Sequence, residues 1–149
     1  MSRIRKFIRL QWHEKLLFCE SLLLHLFIGL LLKIVPFRKI PGLFANRQFE
    51  TPTLEEDQPR HMVSGQQSIL VENVKVAVQR AGAVSPWRNR CLVSSLAGRW
   101  MLSCRGIQSS LSLGLGKLPD GKTIAHSWLM CWGTEIVPRN GDFTPLYTF

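Results

Sequence analysis

The pattern of apolar and polar positions divides the 149-residue chain into three parts. Residues 1–41 combine basic and apolar side chains, residues 42–68 are polar with prolines and acidic residues, and residues 69–149 show helical periodicity followed by strand alternation. A chain of this length suffices for one compact domain with a modest core. We therefore predict N-terminal helices, an irregular connection and a C-terminal core within one domain.

Residues 16–35 form an apolar run long enough to cross a bilayer. Three ionisable residues lie within it: Glu20, His25 and Lys33. Each of them is unfavourable at bilayer depth, so a membrane span is the less favoured interpretation. The preceding residues 4–15 place apolar side chains four apart, and Pro36 ends the run because the residue before a proline avoids helical geometry. We predict two helices, or one bent helix, packed on the rest of the protein.

Positive charge is concentrated at the N-terminus. The chain has 19 Lys and Arg against 10 Asp and Glu, a net charge of +9, and residues 1–41 hold eight basic and two acidic side chains. This segment suits an anionic membrane surface, an acidic peptide or nucleic acid, and it equally suits a solvated face. No aromatic–basic signature supports nucleic acid, so we expect no nucleic-acid partner. Peripheral membrane contact stays open.

The four cysteines are Cys19, Cys91, Cys104 and Cys131. Their spacing shows no dense disulfide framework, and the N-terminal apolar run lacks the small-residue cleavage site of a secretory signal. We therefore expect reduced thiols in a cytoplasmic protein. No short paired spacing suggests zinc ligands, and we expect neither a metal nor another cofactor.

Two further helices are predicted in the C-terminal part. The first places Val71, Val74 and Val78 at helical spacing, and Gly82 is positioned to end it. The second covers residues 91–105 and stops before Gly106. Its predicted apolar stripe comprises Val93, Ala97, Trp100, Met101 and Cys104.

Cys91 lies in the first turn of this second helix. Unpaired backbone N–H groups and the positive end of the helix dipole favour a thiolate there, and Arg88 and Arg90 add positive charge. Helical cysteines are more often buried and inert, which is our expectation for Cys104, and Cys131 at a strand end is also expected in the core. Position therefore singles out Cys91 as the candidate nucleophile.

After Gly106 the apolar period changes from 3.6 to 2. Leu111, Leu113 and Leu115 alternate with small residues and predict a half-buried strand. A turn at residues 119–122 leads into a returning strand over residues 124–132, which carries His126 near its start, and a third short strand follows at 135–137. A cysteine-bearing helix packed on an antiparallel sheet that carries a histidine is the geometry of papain-like catalysis.

Several short motifs recur in a specific order: Cys91-Leu92, Ser95-Leu96-Ala97, Leu102, Arg105-Gly106, Leu113-Gly114 and Ala125-His126-Ser127-Trp128. With residues 32–38 of the N-terminal part, they resemble the transglutaminase-like cysteine peptidases of lasso-peptide biosynthesis. The resemblance is to the B protein in its split, peptidase-only form, and it covers nearly the whole chain. It implies an α+β fold of the papain and transglutaminase type, with residues 69–149 as the catalytic core.

The resemblance also implies roles for individual residues. Cys91 would attack the scissile carbonyl, His126 would take its proton, and a downstream acidic residue would orient His126. We expect Asp142 in this third role because it lies 16 residues beyond His126, and Asn140 is the amide alternative. The chain departs from the family pattern at two places: Ser127 stands where alanine is common, and Met130 where glutamate is common.

The implied function is removal of the leader from a ribosomally synthesised lasso-peptide precursor, without a cofactor. The released core would pass to a separate ring-closing cyclase. Little sequence precedes the first helix, so we expect a separate leader-binding protein rather than a fused leader-binding domain. One alternative is acyl transfer by the same Cys–His machinery, with an amine in place of water. Another is a non-catalytic, membrane-associated interaction protein.

Overall fold

The computed structural model describes residues 12–35, 65–118 and 120–148. Within these residues, three helices precede a small antiparallel sheet. The helices are α1 (Trp12–Ile34), α2 (Gly65–Val84) and α3 (Arg90–Ser103). The strands are β1 (Ser110–Lys117), β2 (Thr123–Cys131), β3 (Thr134–Val137) and β4 (Thr144–Thr148). This α+β architecture confirms the predicted fold class.

Helix α1 is continuous through the predicted apolar run. It ends at Ile34, two residues before Pro36, as the restriction on residues before proline predicts. The part of the predicted bent helix before residue 12 lies outside the described residues. Most of the predicted irregular connection also lies outside them, and its last four residues, 65–68, belong to the first turn of α2.

Helix α1 packs against both other helices and runs antiparallel to α3. Glu20 forms a bidentate ion pair with Arg105, just beyond the end of α3, with a shortest N–O distance of 2.6 Å. Near the other end of α1, the indole of Trp87 donates a hydrogen bond of 2.8 Å to the carbonyl of His25. The same ring lies against Gly29, where any Cβ would collide with it. These contacts hold the N-terminal helix on the rest of the protein, as predicted.

The four strands are ordered β3-β2-β1-β4, and all neighbouring pairs are antiparallel. Leu111 on β1 lies opposite Leu129 on β2, and both are fully buried on the face that packs against α3. The opposite face is also covered, because the rings of Trp128 and Phe143 lie over Gly114 and Gly116. Burial on β1 therefore departs from simple alternation.

The predicted stop at Gly106 is confirmed, although α3 itself ends at Ser103, two residues before the predicted end. Gly106 has a φ of +69°, and the N–H of Ile107 donates to the carbonyl of Leu102 at 3.0 Å, which is the Schellman arrangement. The predicted apolar stripe is only partly right. Cys104 and Trp100 are exposed, because α3 packs against helices on one side and the sheet on the other, leaving a narrow solvent strip. Leu96 and Leu102 are buried in their place.

Candidate active site

Cys91 is the second residue of α3, in the first turn where the sequence predicted it. The helix begins at Arg90, and the preceding Asn89 makes no side-chain capping hydrogen bond. Backbone N–H groups in a first turn have no partner within the helix, so the Cys91 N–H is positioned as a donor to a nearby anion. The Cys91 side chain is half-buried, which leaves the thiol reachable from one side.

Cys91 and His126 line one open groove, with a volume of about 280 Å³. Its walls come from the end of α2, the start of α3 and the segment that follows β3. Two residues that are 35 positions apart in the sequence thus line the same groove. Among the described residues no hydrogen bond joins the two side chains directly. Catalytic hydrogen bonds are often long before substrate binds, so the open groove is compatible with a pair that closes on a substrate.

The imidazole of His126 is oriented by a backbone carbonyl. Its Nε2 atom lies 3.0 Å from the carbonyl oxygen of Pro138. A carbonyl only accepts, so Nε2 carries the proton and Nδ1 is left with a lone pair. The ring also packs against Phe143, at 4.7 Å between centroids, and stacks near Trp128 at 6.4 Å. The carbonyl and the two aromatic rings therefore hold the orientation of the His126 ring.

The two candidates for the third catalytic position are placed differently. Both residues are exposed, but Asn140 lines the groove, with a positive φ of 49°, whereas Asp142 is not among the groove-lining residues. Neither side chain hydrogen-bonds His126 in the part of the chain that is described. Asp142 therefore stays a prediction, with Asn140 as its alternative. The Pro138 carbonyl was not predicted, because a main-chain acceptor leaves no side-chain signature in the sequence.

A second histidine, His25, lies behind the groove and contacts Ser94, one of its lining residues. It is fully buried, its Nδ1 atom lies 2.7 Å from the carbonyl oxygen of Ser21, and its Nε2 atom lies 3.0 Å from Ser94 Oγ. Burial lowers the pKa of His25 below its ordinary value of 6.5, although the bond to the Ser21 carbonyl acts in the opposite direction. In the neutral ring Nδ1 donates to that carbonyl, so Nε2 accepts the hydroxyl hydrogen of Ser94.

Ser94 lines the groove one helical turn after Cys91. Because its hydrogen is donated to His25, its oxygen lone pairs remain free to accept a hydrogen bond from the groove. From the sequence, His25 was predicted only to disfavour a membrane span, and Ser94 was not predicted as a site residue. The available signal was the spacing of four residues between Ser21 and His25, which places two polar side chains on one face of an apolar helix.

Gly82 does not end α2, contrary to the prediction. The helix continues to Val84, and a Cβ at Gly82 would lie 2.8 Å from Ser94 Oγ. The glycine is therefore needed for the close approach of α2 to the groove-lining part of α3. In the sequence, a glycine that terminates a helix looks the same as one that lets another helix pack closely. The predicted end of α2 at Gly82 was wrong for this reason.

The remaining cysteines differ in accessibility. Cys131 is buried, donates its thiol hydrogen to the carbonyl of Gln108 at 3.3 Å, and burial raises its pKa to about 11. The predicted core position of Cys131 is therefore confirmed. Cys104 is exposed, so its predicted core position is wrong. Cys19 is also exposed, and all four thiols are free. Within the described ranges, no cluster of three or more His, Cys, Asp or Glu side chains could hold a metal ion.

The departure at Ser127 is accommodated inside the fold. Its hydroxyl is buried and lies 3.3 Å from Ser95 Oγ on α3, so the two serines satisfy each other between sheet and helix. Alternation along β2 thus directs Ser127 towards α3, and His126 and Trp128 belong to the opposite set of side chains.

A family model described as the transglutaminase-like superfamily matches residues 31–148, which is well over half of the chain. The matched region includes the end of α1, the helix that carries Cys91 and the whole sheet. No curated protein and no solved structure matches the chain.

Proposed function

This chain belongs to the transglutaminase-like superfamily, and we propose that within it the chain acts as a cysteine peptidase. The superfamily includes cysteine peptidases and acyltransferases and is typically catalytic. The observation that carries the proposal is the shared groove of Cys91 and His126, with Cys91 in the first turn of a buried helix.

In the proposed reaction, His126 Nδ1 takes the thiol proton of Cys91, and the sulfur attacks the scissile carbonyl of a bound peptide. The backbone N–H of Cys91 donates to the resulting oxyanion. The tetrahedral intermediate collapses as protonated His126 gives its proton to the leaving amine, and a thioester remains on Cys91. Water, deprotonated by His126, then adds to the thioester, and the acyl fragment leaves as a carboxylic acid while the thiol is restored.

The proposed substrate is the leader–core junction of a lasso-peptide precursor. The leader would form the thioester and the core would leave with a free α-amine. The resemblance of the motifs around Cys91 and His126 supports this substrate. The groove supports a peptide as well, because it is open to solvent and carries polar groups from Gln79, Ser94 and Asn140 that can bind an extended backbone.

We further propose that the protein works in the cytoplasm with two partners. One is a separate leader-binding protein that delivers the precursor, and the other is a ring-closing cyclase that consumes the released core. Four free thiols are consistent with a reducing compartment. The free amine produced by the proposed cleavage is the group that a ring-closing enzyme needs as its nucleophile.

Mass spectrometry of candidate precursor peptides incubated with the full chain tests this proposal. Peptide hydrolysis produces two fragments whose masses sum to the precursor plus one water. Acyl transfer to an added amine, the alternative reaction, produces two fragments whose masses sum to the precursor plus the amine, with the amine on the acyl fragment. Incubation with Cys91→Ala is the matched control and should produce neither. An unchanged precursor with parent protein and a cognate leader-binding protein would contradict the proposal and favour a non-catalytic role.

A further inference from the structure

The outer face of α1 consists of large apolar side chains exposed to solvent. Six of them define this face: Trp12, Leu16, Leu23, Phe27, Leu30 and Ile34. At about 100° per residue, all six fall within an arc of about 60° along a helix about 35 Å long. The two at the ends are the most exposed, at 77% for Trp12 and 73% for Ile34. A continuous apolar surface of this length indicates a binding surface.

Three polar side chains in the middle of α1 contact the protein instead. Ser21 and His25 are fully buried against the other helices, and Glu20 is paired with Arg105. A surface helix of a water-soluble domain normally shows the reverse distribution, with apolar residues inward and polar residues outward. In α1 the inner face includes the buried apolar residues Leu17 and Ile28, and the outer face is apolar as well. An apolar outer face is typical of a helix that contacts an apolar medium rather than water.

By length and composition alone, α1 could cross a membrane. Its packing argues against that orientation, because α1 is attached to the domain along its length. The contacts run from Glu20 with Arg105, through His25 with Ser94, to Gly29 with Trp87. A spanning orientation would therefore carry α2, with its exposed charged side chains, into the bilayer. A helix that lies in the plane of the interface avoids this.

Basic residues in and before α1 indicate which kind of apolar medium its outer face contacts. Lys15 and Lys33 lie at opposite ends of α1, on the same side of its outer face by helical spacing, and Lys33 also lies over the Trp87 ring. The helix carries two acidic side chains as well, Glu14 and Glu20, and Glu20 is paired with Arg105. Four more basic residues come shortly before the helix in the sequence: Arg3, Arg5, Lys6 and Arg9. Basic side chains beside an apolar face are the composition of helices that bind anionic membrane surfaces, where aliphatic stems lie along the apolar region and the charges meet lipid headgroups.

We propose that α1 docks the protein in the plane of an anionic membrane, with Trp12 to Ile34 inserted at the headgroup–acyl boundary and the groove of Cys91 outside it. This docking does not depend on the proposed peptidase reaction. It gives the buried side of α1 and its exposed side separate roles, since the buried side supports Ser94 in the groove and the exposed side binds lipid.

Vesicle flotation of the full chain tests the docking. The parent protein should float with vesicles of phosphatidylcholine and phosphatidylglycerol, and more weakly with phosphatidylcholine alone or at high salt. The triple variant Leu23→Gln, Phe27→Gln, Leu30→Gln should bind the anionic vesicles at least about tenfold more weakly, since it removes apolar contact without changing charge. A matched control replaces three exposed apolar residues of the sheet, namely Leu115→Gln, Leu146→Gln and Tyr147→Gln, and should bind like the parent.

Circular dichroism checks that both triple variants keep the parent fold, which is expected because every substituted side chain is partly or largely exposed. Parent protein that stays at the bottom of the gradient at low salt would overturn the proposal. Equal flotation of the parent and the α1 variant would also overturn it. The main alternative is that a second copy of the chain covers this face. Sedimentation analysis without lipid tests it, because the parent would then be a dimer and the α1 variant a monomer.

Discussion

The Nε2 atom of His25 lies 3.0 Å from the Oγ atom of Ser94, so the N-terminal helix α1 contacts the residue one turn beyond Cys91. The two residues are separated by 69 positions and belong to different helices. Both are buried, and each satisfies a polar atom of the other. The hydrogen bond therefore couples the packing of α1 to the shape of the groove.

The stability of the protein should depend on the protonation of His25. Burial lowers the pKa of folded His25, whereas the unfolded residue keeps the ordinary value of 6.5. Below pH 6.5 the unfolded state therefore binds a proton that the folded state does not, and the free energy of unfolding falls as pH decreases, by at most about 1.4 kcal/mol per pH unit from this group. The contribution is fully present above pH 6.5.

Urea unfolding at pH 5 and pH 7 measures this dependence. His25→Gln should be less stable at pH 7 by roughly 1–3 kcal/mol, because buried partners lose hydrogen bonds, and the gap to the parent should narrow at pH 5. His13→Gln is the matched control, since His13 lies on the same helix and is exposed. A stability difference between parent and His25→Gln that is the same at both pH values would contradict the predicted dependence of stability on His25 protonation.

Cys91→Ala should abolish cleavage while the fold remains intact, because a small side chain in a first turn is readily accommodated. Cys104→Ala is the matched control on the same helix and should retain activity, since Cys104 is exposed and away from the groove. Cleavage is followed by mass spectrometry, and the thioester intermediate should appear as a mass increase on the parent chain alone. Cleavage by Cys91→Ala at the parental rate would show that Cys91 is not the nucleophile.

His126→Ala should lower the cleavage rate by about 10² to 10⁴, the usual contribution of a positioned general base. Trp128→Phe serves as a packing control, because Trp128 lies near the His126 ring and its indole cannot act as a general base. The control should lose far less activity than the histidine variant. A smaller loss in His126→Ala than in the control would assign His126 a structural role.

The third catalytic position is tested by comparing Asp142→Ala with Asn140→Ala in the same cleavage assay. We expect Asp142→Ala to lose activity, though less than His126→Ala, because an orienting residue does not take part in bond making. The Pro138 carbonyl already holds His126 Nε2, so the loss should be modest and should appear in kcat more than in KM. If Asp142→Ala retains the parental activity and Asn140→Ala loses most of it, Asn140 is the residue that orients His126.

A cognate leader-binding protein should lower the apparent KM for the precursor, with a smaller change in kcat. The physical reason is effective concentration, because a tethered leader holds the scissile bond near Cys91. Titration of the partner into the cleavage assay measures both constants, and a core-proximal peptide without leader is the control that should not respond. An unchanged rate across the titration, with tight precursor binding by this chain alone, would show unaided recognition.

Features that depend on neighbours in the sequence were predictable. The first-turn position of Cys91, the stop at Gly106 and the hairpin that carries His126 follow from periodicity, turn residues and backbone conformational limits. The order of these elements was enough to predict the α+β class and to propose a Cys–His pair. Local sequence encodes local conformation, so these predictions needed no knowledge of packing.

Other features were decided only by tertiary contacts. Apolar residues occur all around α1, so its sequence could not tell that His25 would be buried and Phe27 exposed. Gly82 could end a helix or admit a neighbour, and only the approach of α3 decided between the two. The sequence by itself determined which elements form and where Cys91 and His126 lie within them. The tertiary structure decided which faces meet, because burial and backbone acceptors such as the Pro138 carbonyl depend on segments distant in the chain.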